Sequence, residues 1–368
     1  MTDLSAILVN YHSDADVIAA IDSLRREAGA LSLEVIVVDN DEDGAGGERI
    51  RRERPDVRLL SLRGNPGFAA GCNAGLSVAR GRFALLINPD VRVGPGALER
   101  CVAALERAEA GGVAALGCEH RYGDGSLQLS SYPAVLWPGP LSALANAPLG
   151  PSLLRRLRPD LLEARSAAWK RALHERSHET DAVQGSFLFL RREVVRDVGP
   201  LDPDFFLYYE ELDWCRRARS RGLRILYLKE ASVVHETRRR EGDDATERQA
   251  YLSEALFVLK RRGRAAALAF VLVRHLNVAL GFAAYPLLGP AERRRLRTHA
   301  RRLGFASPAW LRLLRYGRAP ASGPGPLRAA RPAARGGRRG GAAGDPAGAG
   351  GPEAGAARKR GGNVVPGG

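Results

Sequence analysis

Residues 6–40 read AILVNYHSDADVIAAIDSLRREAGALSLEVIVVDN, and their pattern decides the fold class. AILVNY is a short apolar run with the composition of a strand. Ser13 or Asp14 then stands at a helix N-cap position, Val17, Ile18, Ile21 and Leu24 recur on one helical face, and Gly29 follows as a stop. EVIVVDN is a second strand. Strand, helix and strand in succession form the unit of an α/β domain with a largely parallel sheet.

The alternation continues outward. VRLLSL (57–62) and FALLIN (83–88) read as the third and fourth strands, with small-residue helical character from Ala69 to Ala79 between them. GPGALERCVAALERAEAGG (94–112) is a further helix with Pro95 near its start, and VAALG follows as a strand. Glu119 to Asp181 is irregular and rich in Pro, Leu and Arg. The pattern recovers with VQGSFLFLRR as a strand, then DPDFFLYYEELDWCRRARSRG, which turns helical toward its end, then LRILYL and ASVVHE as strands. Beyond Tyr251 the chain is helical and basic. Residues 317–368 are a Gly/Ala/Pro/Arg mixture with almost no large apolar side chains. Such a tail cannot offset its ordering entropy and is expected to be disordered.

A formal net charge of +15 calls for an anionic partner, and nucleic acid, an acidic lipid surface and a phosphorylated substrate all satisfy it. Much of the excess lies late, in Arg261, Arg262, Arg264 and Arg293 to Arg295, so the front of the chain is closer to neutral. Cys72, Cys101, Cys118 and Cys215 form no C-x-x-C pair and read as reduced thiols. MTDLSAILVNY has neither a basic n-region nor a small-residue cleavage site, so export by a signal peptide is not expected. The apolar stretch Ala265 to Leu288 is interrupted by Arg274, His275 and Asn277, which are costly at a bilayer centre. A surface-lying helix is therefore expected rather than a spanning one.

Ligands of open α/β sheets bind beyond the carboxyl ends of the strands, where Asn10 with Tyr11, Asp39, and Asn88 to Asp90 stand in this sequence. Asp39 is suited to accept hydrogen bonds from a nucleobase imide or a ribose, or else to cap the next loop. In NPD, Pro89 forces a turn that pushes Asp90 toward solvent, where a carboxylate suits Mg²⁺ or Mn²⁺; the same tripeptide is also an ordinary loop start. His235 closes the last strand, and its value depends on lying near Asp90. The loop RGNPGFAAGCNAG (63–75) has glycines that admit close backbone approach before a helix N-terminus, which favours phosphate, or it is simply a tight turn. No G-K-[ST] follows, so it is not a P-loop. YHSDAD contains no glycine, which excludes a nicotinamide dehydrogenase fingerprint. Glu210, Glu211 and Asp213 crowd among large aromatics, which raises at least one pKa toward the range of a general base. The competing reading is an acidic helix start paired with Arg216 and Arg217.

Taken in order, AILVNYHS, EVIVVDN, GNPGFAAGCNAG, FALLINPDV, DGSLQL, GSFLFLRREV, VGPLDPDFFLYYEELDWCRRARSRGLRILYL and VVHE resemble the family 2 glycosyltransferases, especially their rhamnosyltransferase-like branch. The resemblance runs from about Ser5 to about Glu236. It implies a GT-A fold: an α/β, Rossmann-like mixed sheet flanked by helices, with a donor half at about 1–117 and an acceptor half at about 118–240. A basic helical appendage (241–316) and the tail would follow. By the same resemblance Asn10, Tyr11, Asp39, Asn65, Gly67, Phe68, Asn73, Asn88 and Asp90 would line the site of a nucleotide diphosphate sugar. Asp90 and His235 would hold a divalent metal, Mn²⁺ or Mg²⁺, with Asn88 where the family's metal motif places its first carboxylate. Glu211 falls at the position of the catalytic base, normally an aspartate, with Asp213 and Glu210 as alternates.

The activity implied is inverting transfer of rhamnose from its deoxythymidine diphosphate carrier, or of a uridine diphosphate sugar, to a saccharide or lipid-linked saccharide in cell-envelope polysaccharide synthesis. The setting implied is cytoplasmic, with the appendage resting on the anionic inner membrane face or packed on the catalytic domain. Sugar-1-phosphate nucleotidyltransferases need a glycine- and arginine-rich signature after the first strand that YHSDAD lacks. Nucleic-acid binding explains the charge but leaves the acidic aromatic cluster without a role. Asn88 and Glu211 keep open a catalytically degenerate sugar-binding or scaffold protein.

Overall fold

The computed structural model of the chain describes residues 2–108 except 42 and 63, then 112–144, 167–236 and 244–283, with scattered positions from 285 to 300. The expected disordered tail lies outside the described residues, as does much of the stretch from 284 to 316.

The first half is a doubly wound unit. Strands β1 (Leu4–Asn10), β2 (Leu33–Asp39), β3 (Arg58–Ser61) and β4 (Phe83–Ile87) are parallel and lie in the order β3-β2-β1-β4. Helices α1 (Asp14–Arg26), α2 (Ala45–Glu53) and α3 (Phe68–Val78) connect them. The strand order reverses between β1 and β4, so the carboxyl ends of β1, β2 and β4 frame the crevice where such sheets bind ligands.

β1 reads as an unbroken apolar run because both its faces are buried. Ile7 and Val9 join one core, and Leu4, Ala6 and Leu8 join the other. The first core is covered by α3 and the later helices, the second by α1 and α4 (Ala97–Arg107). The small residues of α3 are what let it close on β1. A Cβ on Gly75 would come within 2.4 Å of Ile7 Cγ2, and one on Gly71 within 2.9 Å of Val9 Cγ1.

The second half makes the sheet mixed. Beyond β4 come antiparallel β9 (Phe187–Arg191), then β6 (Val113–Arg121), β10 (Arg224–His235) and the short β5 (Val91–Val93). β7 (Leu127–Gln128) pairs with β6, and β8 (His178–Thr180) with β10. LRILYL and ASVVHE, read as two strands, form the single strand β10, with its register broken between Leu228 and Ser232. VQGSFLFLRR contributes a strand only from Phe187; Gln184 to Ser186 form the turn before it.

The last long helix, Asp244–Ala283, is broken at Gly263, whose φ is +80°. It runs 36 residues from Arg248, and its most apolar 18-residue stretch has a mean hydropathy of 1.7, enough by length and composition to cross a membrane. One face packs on the domain through Leu252, Leu256, Phe257 and Phe270. Its interrupting polar residues turn inward: Arg274 clamps Glu254 at 2.5 and 2.6 Å, and Asn277 donates to the Ala143 carbonyl at 2.7 Å. The other face leaves Leu268, Leu272, Leu276 and Leu280 exposed, one turn apart. All four cysteines are unpaired and buried.

Candidate active site

Asn10 and Asp39 end adjacent strands in register, and their side chains meet. Asn10 Nδ2 donates to Asp39 Oδ1 at 2.7 Å and to Asp41 Oδ2 at 3.1 Å, while Asp41 Oδ1 accepts the His12 amide at 2.6 Å. Burial holds the Asp39 carboxyl above its ordinary range, against the hydrogen bond from Asn10. The start of α2 sits on this pair. A Cβ on Gly47 would lie 2.3 Å from Asp39 Oδ2, and one on Gly46 would lie 2.4 Å from Asp41 Oδ2. Asp41, Gly46 and Gly47 were not singled out from the sequence. Tyr11 stacks obliquely on His12 at the same strand end.

The loop before α3 is stapled from both sides. Asn65, at φ +43°, accepts the Gly67 amide on Oδ1 at 3.2 Å, and Asn40 Nδ2 donates to the Gly67 carbonyl at 3.2 Å. Across the cleft, the Phe68 amide donates to the Phe206 carbonyl at 2.8 Å. Asn73 faces elsewhere, with its amide engaged by the backbone of Leu201.

Asp90 and His235 come together. β5 pairs antiparallel with β10, placing Val91 opposite His235, and His235 Nε2 lies 3.3 Å from Asp90 Oδ1. The Asn88 amide is held by the Ser186 carbonyl at 3.0 Å, which fixes the turn that carries Asp90. The pair suits a hard divalent ion. Two ligands about 2.1 Å from one ion and at right angles lie about 3.0 Å apart, close to the separation here, and Asp90 keeps an open side for water or phosphate oxygens. Among the described residues no group of three or more His, Cys, Asp or Glu side chains is disposed around a common centre.

His120 sits behind them, its ring edge-on to His235 with centroids 6.0 Å apart. Its Nδ1–H donates to the Cys118 carbonyl at 2.9 Å, because a carbonyl can only accept. Nε2 therefore accepts from the Ser186 hydroxyl at 3.0 Å. Full burial pushes its pKa down to about 3 and keeps it neutral.

The acidic cluster divides by environment. Asp213 is almost completely buried and committed, to Arg217 at 2.7 Å and Arg216 at 3.0 Å. Glu210 is buried beside Glu211, and desolvation followed by that neighbouring charge drives its carboxyl well above the ordinary range. Glu211 keeps part of its surface open, yet its Oε2 is enclosed with no hydrogen-bond partner. Desolvation raises its pKa to about 7 against backbone amides, including that of Gly185, that pull it down. Tyr208 and Tyr209, at φ +69° and +71°, make the strained turn that starts the helix Glu210–Arg219 at this place.

The turn Gln184-Gly185-Ser186 joins these parts. Gln184 Nε2 approaches His235 Nδ1 at 3.4 Å, Gly185 lies against Glu211, and Ser186 holds both His120 and Asn88. A Cβ on Gly185 would press on Glu211 at 3.2 Å. Gln128, from DGSLQL, reaches His235 Nδ1 at 3.0 Å. The sequence marked these segments but not these side chains.

Such a fold and cleft define an α/β protein whose doubly wound half is joined, with no break in the sheet, to a half that supplies a desolvated carboxylate. A family model described as glycosyltransferase like family 2 matches residues 2–253. The chain belongs to the family 2 glycosyltransferases and is a glycosyltransferase. It is similar to the N-acetylglucosaminyl-diphospho-decaprenol L-rhamnosyltransferase of Mycobacterium tuberculosis, 28% identical over 244 residues that cover 60% of this chain and 74% of that one. It is also similar to the low-salt glycan biosynthesis hexosyltransferase Agl10 of Haloferax volcanii, 23% identical over 244 residues covering 64% and 67%. Among solved structures, the mannosyltransferase PcManGT of Pyrobaculum calidifontis, in complex with GDP-Man and Mn²⁺, aligns over 85% of this chain and 83% of its own with a TM-score of 0.47 and 15% identity.

Proposed function

We propose that the chain transfers a sugar from a nucleoside diphosphate carrier to an acceptor hydroxyl in one displacement that inverts the anomeric configuration. The observation that carries this reading is Glu211, an enclosed carboxylate with a pKa of about 7 and one uncommitted oxygen, beside the turn that touches His235. At neutral pH such a group accepts the acceptor's proton as its oxygen attacks the anomeric carbon. Asp213 is tied to two arginines and Glu210 is fully enclosed, which leaves Glu211 to meet the acceptor. Asn10 and Asp39 would hold the nucleoside, and the Asn65–Phe68 loop and Asn88 would line the donor. Asp90 and His235 would hold Mn²⁺ or Mg²⁺, which when bound neutralises charge growing on the leaving diphosphate.

Rhamnose on a deoxythymidine diphosphate carrier is the first donor to test, because the mycobacterial relative is named a rhamnosyltransferase; uridine diphosphate sugars come next. A lipid-linked saccharide is the acceptor class that the same name supports, and a place in cell-envelope polysaccharide synthesis is part of this proposal. The exposed leucines 268, 272, 276 and 280, next to Arg262 and Arg264, support a cytoplasmic protein resting on an anionic membrane face. A nucleotide-sugar panel with Mn²⁺, read by thermal shift and by hydrolysis, tests the donor. One sugar nucleotide should both stabilise and turn over; binding without turnover of any of them would defeat the mechanism. Flotation with anionic vesicles tests the membrane face, and failure to float at low salt would remove it.

A further inference from the structure

His235 has two glutamines on the same ring nitrogen. Gln128 Oε1 lies 3.0 Å from Nδ1, and Gln184 Nε2 lies 3.4 Å from it. The two contacts ask for opposite tautomers. A carbonyl oxygen requires Nδ1 to carry the proton, whereas an amide N–H requires Nδ1 to be bare. Nε2 also faces the Asp90 carboxylate at 3.3 Å, which can only accept and sides with Gln184 in asking for a bare Nδ1. Of these three contacts the one to Gln128 is the shortest, lies within normal hydrogen-bond length for a nitrogen donor, and is buried.

We propose that Gln128 is a positioning residue that fixes His235 as the Nδ1–H tautomer and so presents the Nε2 lone pair beside Asp90. The inference rests on the reading of Asp90 and His235 as a metal pair. A ring nitrogen can ligate a cation only through a lone pair, and the proton on the other nitrogen is ordinarily held by a carbonyl or carboxylate. Gln128 supplies such an oxygen without adding charge. Its own position is set by the sheet, because β7 pairs Gln128 with His120 on β6, and His120 is locked at both ring nitrogens. The aromatic edge of His120 restricts tilting of the His235 ring on the remaining side. Gln128 therefore acts through His235 and needs no contact with substrate.

Two readouts on the full chain test this, one of them free of metal. Long-range ¹H–¹⁵N spectra of histidine-labelled, metal-free protein report the tautomer, with His235→Ala identifying the signal. Wild type should show Nδ1–H. Gln128→Leu should lose that bias, and Gln128→Glu, which keeps an acceptor, should restore it. Mn²⁺ binding in the presence of UDP, followed by electron paramagnetic resonance, should weaken about 10- to 100-fold in Gln128→Leu and recover in Gln128→Glu. Nε2–H in wild type would assign control to Gln184 and overturn the proposal, as would an unchanged tautomer in Gln128→Leu. If Asp90→Asn leaves Mn²⁺ binding unaltered while the tautomer follows Gln128, the metal reading fails and the positioning of the ring survives. Should Gln128→Leu not fold, the wild-type tautomer and the Gln128→Glu pair still decide.

Discussion

Asn73 commits both ends of its amide to one backbone unit: Nδ2 donates to the Leu201 carbonyl at 2.7 Å and Oδ1 accepts the Leu201 amide at 2.9 Å. A side chain in α3 thereby clasps the segment that leads into the acidic cluster, imitating a strand neighbour. Replacing it by alanine strands two peptide groups next to the buried Leu201. Asn73→Ala should cost about 2 kcal/mol of stability in chemical denaturation. Donor affinity measured on the folded fraction should change less than twofold; a tenfold loss of nucleotide affinity with normal stability would instead put Asn73 in the donor site.

Glu211 makes two pH predictions of opposite sense. As a base it must be ionised, so log kcat/KM should rise with unit slope below about pH 7 and level above it. For stability, its folded pKa of about 7 lies above the ordinary 4.5, so the folded state holds a proton that the unfolded chain has released. Stability from this group is complete below about 4.5 and is lost as pH rises through about 7. Glu211→Gln should therefore melt higher than wild type at pH 8 and close to it at pH 5, while transfer falls by at least about 100-fold. Wild-type kcat/KM that is flat from pH 5 to 8 would remove Glu211 from the proton transfer.

Asp213 should behave as the reverse of Glu211. Its two ion pairs reach arginines that remain partly exposed, which screens them, but the carboxylate itself is buried. Arg217 also donates to the Val198 and Pro200 carbonyls, so loss of Asp213 loosens the loop before Leu201. Asp213→Asn is expected to lower stability by about 2–3 kcal/mol, with kcat/KM of the surviving folded enzyme within tenfold of wild type. A variant of normal stability and no turnover would move the base from Glu211 to Asp213.

The legibility of each part followed its burial. β1, β2 and β4 were readable because strands covered on both faces are continuous apolar runs, and α1 because its apolar stripe lies on one core. α2 was not, because AGGERIRRE buries only Gly46, Gly47 and Ile50, too little to mark a helical face. β5 is three residues long and is a strand only because β10 runs beside it. The meeting of Asp90 with His235 rested on resemblance alone, since no local pattern encodes an antiparallel pairing between segments so far apart in the chain. Gln128, Gln184 and His120 carried no signal: a polar residue in a strand or turn looks the same whether it faces solvent or a buried imidazole.

Gly67 and Gly64 separate backbone strain from contact within a single loop. Both adopt left-handed conformations, φ +106° and +77°, so a side chain at either position is strained. Around Gly64 nothing lies within 4 Å of an added Cβ, whereas at Gly67 it would meet the Phe206 carbonyl oxygen at 2.5 Å and the Phe206 ring at 2.7 Å. The Phe206 carbonyl is also the acceptor for the Phe68 amide, so the collision must break the link that seats this loop against the segment leading into the acidic cluster. Gly64→Ala should cost about 1 kcal/mol and leave donor affinity unchanged. Gly67→Ala should cost a further 1–3 kcal/mol or so and weaken binding of the donor nucleotide about tenfold, measured by calorimetry with UDP or dTDP. Equal losses in the two variants would mean that the conformation of the loop, and not its seat on Phe206, shapes the donor site.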